Sequence, residues 1–193
     1  MSGQAEPTSK PLRADARRNR DQVLAVAREI LAAEGGSVSF DEIARRAGVG
    51  VGTVYRHFPT RTALFESIVV GRVQEFTERA RTLAADDTAA GGAFDGYFAY
   101  LVGEIAHNQA LCEALDHGTR SALAIPDQLY DEFNRSFEDV LAQAKKAGTV
   151  RADVDGTDVL DLLIGTARAV RRAQPRGSAN QLITLVLDGL HTR

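Results

Sequence analysis

A chain of 193 residues, 44% of them hydrophobic, is long enough to bury one or two cores, and its single cysteine, Cys112, excludes an internal disulfide. No apolar run reaches the roughly 18 residues of a membrane span, and the start lacks the charged-then-apolar pattern of a secretory signal, so the chain reads as soluble and cytoplasmic. The net charge of -3 excludes a wholly basic nucleic-acid binder, yet residues 1–65 carry 10 Lys/Arg against 7 Asp/Glu and residues 66–193 carry 13 against 19, so a polyanion footprint belongs to the N-terminal third.

Residues 1–14 are polar, contain two prolines and show no periodicity; the expectation is a disordered tail. From about Asp15, Val23, Ala27, Ile30 and Leu31 describe one face of a first helix, stopped by Gly35. Ser39-Phe40-Asp41-Glu42 fits a capping box, with Ser39 accepting from the third helical amide and Glu42 reaching back to the amide of Ser39. A second helix therefore starts at Phe40, with Phe40, Ile43, Ala44 and Ala47 on its inner face and Gly48 as a left-handed stop. A third helix begins at about Val51, anchored by Val54 and Phe58, and Pro59 interrupts it. Two short helices joined by a glycine turn make a helix-turn-helix.

Beyond Pro59, Thr60 can cap a long helix bearing Leu64, Phe65, Ile68, Val69, Val73 and Phe76 and ending near Ala84. Further helices are expected at about 90–107, 109–117, 125–147, 157–173 and 179–192, with Gly/Asp/Pro clusters between them and no strand-like alternation. The fold class is all-α: an N-terminal three-helix helix-turn-helix domain over 15–60 and a C-terminal helical domain over 61–193.

The stretch AGVGVGTVYRHF, residues 47–58, puts three glycines within five positions. The second helix of a helix-turn-helix lies in the DNA major groove, its N-terminal residues facing base edges while neighbours hold phosphates. Gly52, in the first turn, costs about 1 kcal/mol of helicity against alanine, and a side-chain-free approach to DNA accounts for it. Arg56 can read guanine bidentately, Val51 can touch a thymine methyl, and Tyr55 and His57 can clamp phosphates. Thr53 adds a donor, and Ser39 and Arg61 flank the same edge as phosphate ligands. Taken singly, each has a plainer reading, Tyr55 as core and His57 as a solvated surface residue.

The whole run RNRDQVLAVAREILAAEGGSVSFDEIARRAGVGVGTVYRHFPTRTALF resembles the DNA-binding domain of the TetR family of transcriptional regulators over residues 17 to about 70. The resemblance implies a homodimer, usually a repressor, that binds a near-palindromic double-stranded operator and releases it when a small-molecule effector enters the C-terminal ligand-binding and dimerisation domain. It implies DNA-facing positions at Ser39, Gly50, Val51, Gly52, Thr53, Tyr55, Arg56, His57 and Arg61. No cofactor or metal is expected. Many relatives carry serine where Gly50 stands. Glycine lacks that hydroxyl for capping the third helix, although the backbone amides remain for phosphate.

In the C-terminal two thirds, wide apolar faces occur on two helices, with Val159, Leu162, Leu163, Ala167 and Val170 on one and Leu182, Leu185, Val186 and Leu190 on the other. They suit either a four-helix bundle between two subunits or the core of a monomer. The resemblance favours the interface, through Val159, Leu163, Val170, Leu182, Leu185, Val186 and Leu190. GTVRADVDGTDVLDLLIGTARA also resembles a recurring C-terminal subtype of the family.

Phe94, Tyr97, Phe98, Leu101, Tyr130 and Phe133, with Tyr100 and Phe137, either line an effector pocket or fill a core. Glu104 and His107, at i and i+3 of the same helix, can meet a ligand's polar group or each other, and Glu104 favours an effector with a donor or positive charge. His107, Cys112 and His117 recur every five residues, about 500° apart on one helix, so neighbours share no face for a metal or thiol site. No catalytic motif appears, and the reading is not an enzyme. The alternatives are an activator, a dimeric module that has lost DNA binding, and a small metal or thiol enzyme.

Overall fold

Helical periodicity accounts for the architecture of the computed structural model, which describes residues 9–34, 39–86, 92–108, 111 and 125–192. Eight α-helices lie among the described residues: α1 Ser9–Glu34, α2 Phe40–Ala47, α3 Val51–His57, α4 Arg61–Ala84, α5 Ala93–His107, α6 Asp127–Lys146, α7 Gly156–Ala173 and α8 Ala179–Leu190. A 3-10 turn, Gln174–Arg176, joins the last two. The expected helix over 109–117 lies outside the described residues apart from Leu111, as do residues 1–8 of the expected tail. The other elements fall close to their expected bounds, with one exception at the start of the chain. There α1 begins at Ser9, where a tail was expected up to residue 14. Pro11 is no obstacle, because amides in a first helical turn have no intrahelical acceptor.

The chain divides into two units, residues 1–68 and 69–193, with the division inside α4 and not at the expected 60/61. Burial explains the position. Leu64 and Ile68, from the first two turns of α4, are buried with Val23, Ala27, Ile30, Phe40, Ile43, Val54 and Phe58. Val69, Val73, Phe76 and Ala80 belong to a second core.

In the second unit α5 packs on α6, α7 and α8, and α7 packs on α6 and α8. Phe94, Tyr97, Phe98, Leu101, Ile105, Phe133, Phe137 and Leu163 fill its centre. Asp155 caps α7, its carboxylate accepting from the Thr157 amide at 2.8 Å. An isolated antiparallel bridge pairs Val150 with His191. Arg151 donates its amide to the Leu190 carbonyl at 2.9 Å, and the Thr192 hydroxyl donates to the Gly148 carbonyl at 2.6 Å. Single bridging pairs of this kind leave no alternation for a sequence to display.

Burial sorts the residues of the expected dimer seam into inward and outward ones. Val159, Leu163 and Val170 are 1%, 0% and 3% exposed and Leu190 is 4% exposed, all within the core of the second unit. The outward apolar residues of these helices are Leu162 and Leu185, 41% and 61% exposed, with Leu182 and Val186 half-buried beside Leu185.

Candidate nucleic-acid interface

Short local signals set the geometry of the helix-turn-helix. Ser39 is extended (φ -83°, ψ 138°), and its hydroxyl oxygen accepts from the Asp41 amide at 3.2 Å, the second helical residue where the third was expected. Glu42 does not complete a capping box. Its carboxylate takes Arg45 at 2.8 and 2.7 Å and Arg46 at 2.6 Å. The hydrogen bonds from Arg45, then those from Arg46, hold the Glu42 carboxyl down at about 2. Two arginines at i+3 and i+4 outcompete one backbone amide for the same oxygens.

Gly48 ends α2 in the left-handed conformation, φ 64°, with its amide on the Ala44 and Arg45 carbonyls. That region is steeply unfavourable for residues with a β-carbon, which is why the turn requires glycine. Gly50 then stands extended at the N-cap of α3 and supplies no side-chain cap, as the missing hydroxyl dictates. Val54 and Phe58 are buried at 0% and 1% and anchor α3 to α1 and α2. The Thr60 hydroxyl accepts from the Ala63 amide at 3.0 Å, capping α4 directly after Pro59.

With its anchors turned inward, α3 presents its other face to solvent. Gly50, Val51, Gly52, Tyr55 and Arg56 are exposed, Thr53 and His57 are half-buried, and Ser39 and Arg61 are exposed at the two flanks. Tyr55 is 53% exposed yet held in place, its ring edge-on to Phe40 with centroids 4.9 Å apart. A β-carbon added at Gly50 or Gly52 would meet nothing within 4 Å. The protein itself therefore has no steric need for glycine at either position. Arg20 of α1 lies over the Phe58 ring, 5.5 Å from its centroid, a contact the apolar pattern of α1 did not signal.

In the second unit the expected ligand residues form a packed aromatic cluster. Phe94 meets Phe98 and Phe137 at 5.9 and 6.2 Å, Tyr97 and Phe133 each meet Phe137 at 6.3 Å, and Leu101 is fully buried beside them. Tyr130 is half-buried against the same cluster. Phe76, absent from the expected set, reaches Phe133 at 6.3 Å and Tyr100 at 5.8 Å.

Three expected polar contacts have intramolecular partners. The Tyr97 hydroxyl donates to the Phe76 carbonyl at 2.9 Å, and burial pushes its pKa well above the ordinary tyrosine value. Glu104 pairs with Arg72 at 2.8 Å and not with His107. His107 Nδ1 lies 2.6 Å from the Gly103 carbonyl and Nε2 lies 3.1 Å from the Gln174 amide nitrogen. Cys112 and His117 lie outside the described residues. Among the described residues no group of three or more His, Cys, Asp or Glu could hold a metal ion, and no helix is long and apolar enough to cross a membrane.

Residues 23–68 match the family model described as bacterial regulatory proteins, tetR family, and residues 89–192 match that of the transcriptional regulator SbtR-like C-terminal domain. The TetR transcription regulatory protein from Mycobacterium vanbaalenii is 40% identical, the match covering 94% of this chain and 100% of that one with a TM-score of 0.70. The TetR transcriptional regulator SCO0520 from Streptomyces coelicolor is 30% identical over 89% of this chain and 98% of its own, with a TM-score of 0.69. An HTH-type transcriptional regulator of Staphylococcus aureus, SAR0097, is 33% identical over 86 residues, 43% of this chain. The chain spans 44% of that relative's length and 66% of a second S. aureus regulator's, SAUSA300_2515, which is 25% identical. With a C-terminal match over more than half of its length and an N-terminal match over the helix-turn-helix, the chain belongs to the TetR family of bacterial transcriptional regulators.

Proposed function

We propose that this protein is a cytoplasmic, homodimeric, non-catalytic repressor that reads a near-palindromic operator with α3 and releases it when a small molecule enters the second unit. The observation that carries the DNA half is the open space around Gly52, whose helical cost nothing within the subunit offsets. A sugar-phosphate backbone lying against the first turn of α3 accounts for it. Arg56 then reads a guanine edge, Val51 contacts a thymine methyl, and Tyr55, buttressed by Phe40, holds a phosphate. Thr53 and His57 add polar contacts, while Ser39 and Arg61 fix phosphates at the flanks. A two-fold dimer would present two such helices about one helical turn apart, hence the palindrome.

The effector half rests on the aromatic cluster around Phe94, Phe98, Leu101, Tyr130 and Phe133. Because Arg72 pairs with Glu104, a cationic effector is not required, and an apolar or aromatic one matches the character of the cluster better. Helix α4 contributes to both cores, so a ligand that shifts α4 in the second unit acts on the helix that begins at Arg61. Release demands tighter binding to the DNA-incompetent form, by about 2.7 kcal/mol for a hundredfold ratio.

The test is selection of genomic fragments by the purified protein, followed by titration of the recovered operator. Arg56→Ala should cost about 1–3 kcal/mol and relax selectivity at one position per half-site. Arg61→Ala should weaken all sequences alike and lower the salt slope by about one unit per subunit. Unchanged affinity and selectivity in both variants would refute the groove assignment.

A further inference from the structure

The polar side chains around the aromatic cluster of the second unit are mostly engaged within the protein. The Tyr97 hydroxyl donates to the Phe76 carbonyl, Glu104 pairs with Arg72, and His107 lies against the Gly103 carbonyl and Gln174. The buried hydroxyls are engaged too: Thr77 donates to the Val73 carbonyl at 2.9 Å, Ser136 to the Phe133 carbonyl at 2.8 Å and Thr166 to the Leu162 carbonyl at 2.7 Å. Asn134 of α6 differs. The residue is half-buried, yet its Oδ1 is shut off from solvent and accepts from no donor among the described residues. Such an acceptor has given up its hydration without a bond in return, and native proteins contain few of them.

Its place on α6 ties it to the cluster. Asn134 follows Tyr130 by four residues and precedes Phe137 by three and Leu141 by seven, so the four share one helical stripe. Phe137 meets Phe94 at 6.2 Å and Tyr97 at 6.3 Å, and Tyr130 packs against the same core. An unmatched acceptor is thus set between two of the aromatic side chains assigned above to the effector.

We infer that Asn134 is a specificity-determining residue of the effector site, its amide taking a hydrogen bond from the hydroxyl of a neutral, otherwise apolar or aromatic molecule. The inference rests on the second unit being the effector site. A neutral partner follows from the amide, which carries no charge, and from Glu104, which Arg72 holds. A hydroxyl suits the amide in either orientation, because it both donates and accepts. The aromatic side chains contribute affinity for any apolar body of suitable size, whereas the amide distinguishes a molecule with the hydroxyl from one without it.

The experiment measures Kd by calorimetric titration of the full-length protein with two matched pairs, 2-naphthol against 2-methylnaphthalene and 4-propylphenol against 4-propyltoluene. Wild type should bind the hydroxyl member of a pair about two- to tenfold more tightly, the worth of one net hydrogen bond. Asn134→Leu, which keeps the branched shape, and Asn134→Ala, which cannot overpack, should both lose that preference while still binding the methyl member. At least one of the two variants should melt at or above wild type, since an acceptor without a donor has been removed. Equal binding of both members by wild type, or a preference that persists in both variants, would overturn the assignment. Two variants that each melt several degrees below wild type would overturn it as well, because the amide would then have its partners inside the protein. Wild type that binds no member of either pair would instead overturn the reading of the cluster as an effector site, and this inference with it.

Discussion

Gly52 separates the demands of stability from those of function. Its φ is not left-handed and the space around it is open, so Gly52→Ala should raise the stability of the free protein by about 0.5–1 kcal/mol. The same β-carbon should weaken operator binding if the DNA backbone lies where α3 begins. Thermal melts and a gel-shift titration read the two effects separately, and a variant that is both more stable and equally tight would remove the close-approach argument. Glu42 gives a second test. Its carboxyl is held at about 2 against an ordinary 4.5 by Arg45 and then Arg46. A depressed native value means a stabilisation fully present above pH 4.5 and lost as pH falls toward 2. Glu42→Gln should therefore melt closer to wild type at pH 2.5 than at pH 7; a constant difference across that window would show that the arginine fork contributes nothing. The fork is surface-exposed, so its effect should also shrink with added salt.

Helices α2, α3 and α4 were legible because their signals are local: Ser39, Gly48 and Thr60 each make the cap or stop that their residue type and position imply. The capping box failed for an equally local reason, since Arg45 and Arg46 lie within reach of the carboxylate that Ser39's amide was expected to engage. What could not be read depended on distant partners. Glu104 is spaced to meet His107, yet its partner, Arg72, comes from α4, and His107 finds Gln174 beyond α7. The start of α1 was hidden because no apolar residue repeats there. Helix α7 shows the limit most clearly. Its apolar arc is wide enough that Leu162 and Leu163 look equally suited to a seam, and only packing on α5 and α6 decides that Leu163 is core while Leu162 faces outward.

At the scale of the whole molecule, that distinction becomes a test of assembly. Leu162 and Leu185 are the large apolar side chains that α7 and α8 leave exposed, and Leu182 and Val186 extend the patch along α8. An isologous contact between two copies would bury these residues and build a four-helix bundle from two helices of each subunit. Leu162→Glu and Leu185→Glu should yield folded monomers: each charge is tolerated at the surface of one subunit but is desolvated in the dimer. Tight operator binding should fall with dimerisation, because one recognition helix reads only half of a palindrome. Leu163→Glu should behave differently, since a carboxylate in place of a fully buried side chain destabilises the subunit itself. Light scattering and circular dichroism distinguish the outcomes. Monomers with native helicity from the first two and loss of cooperative melting from the third would fix the seam on the outward face. A wild-type protein that is monomeric at micromolar concentration would rule out both the bundle and the palindrome.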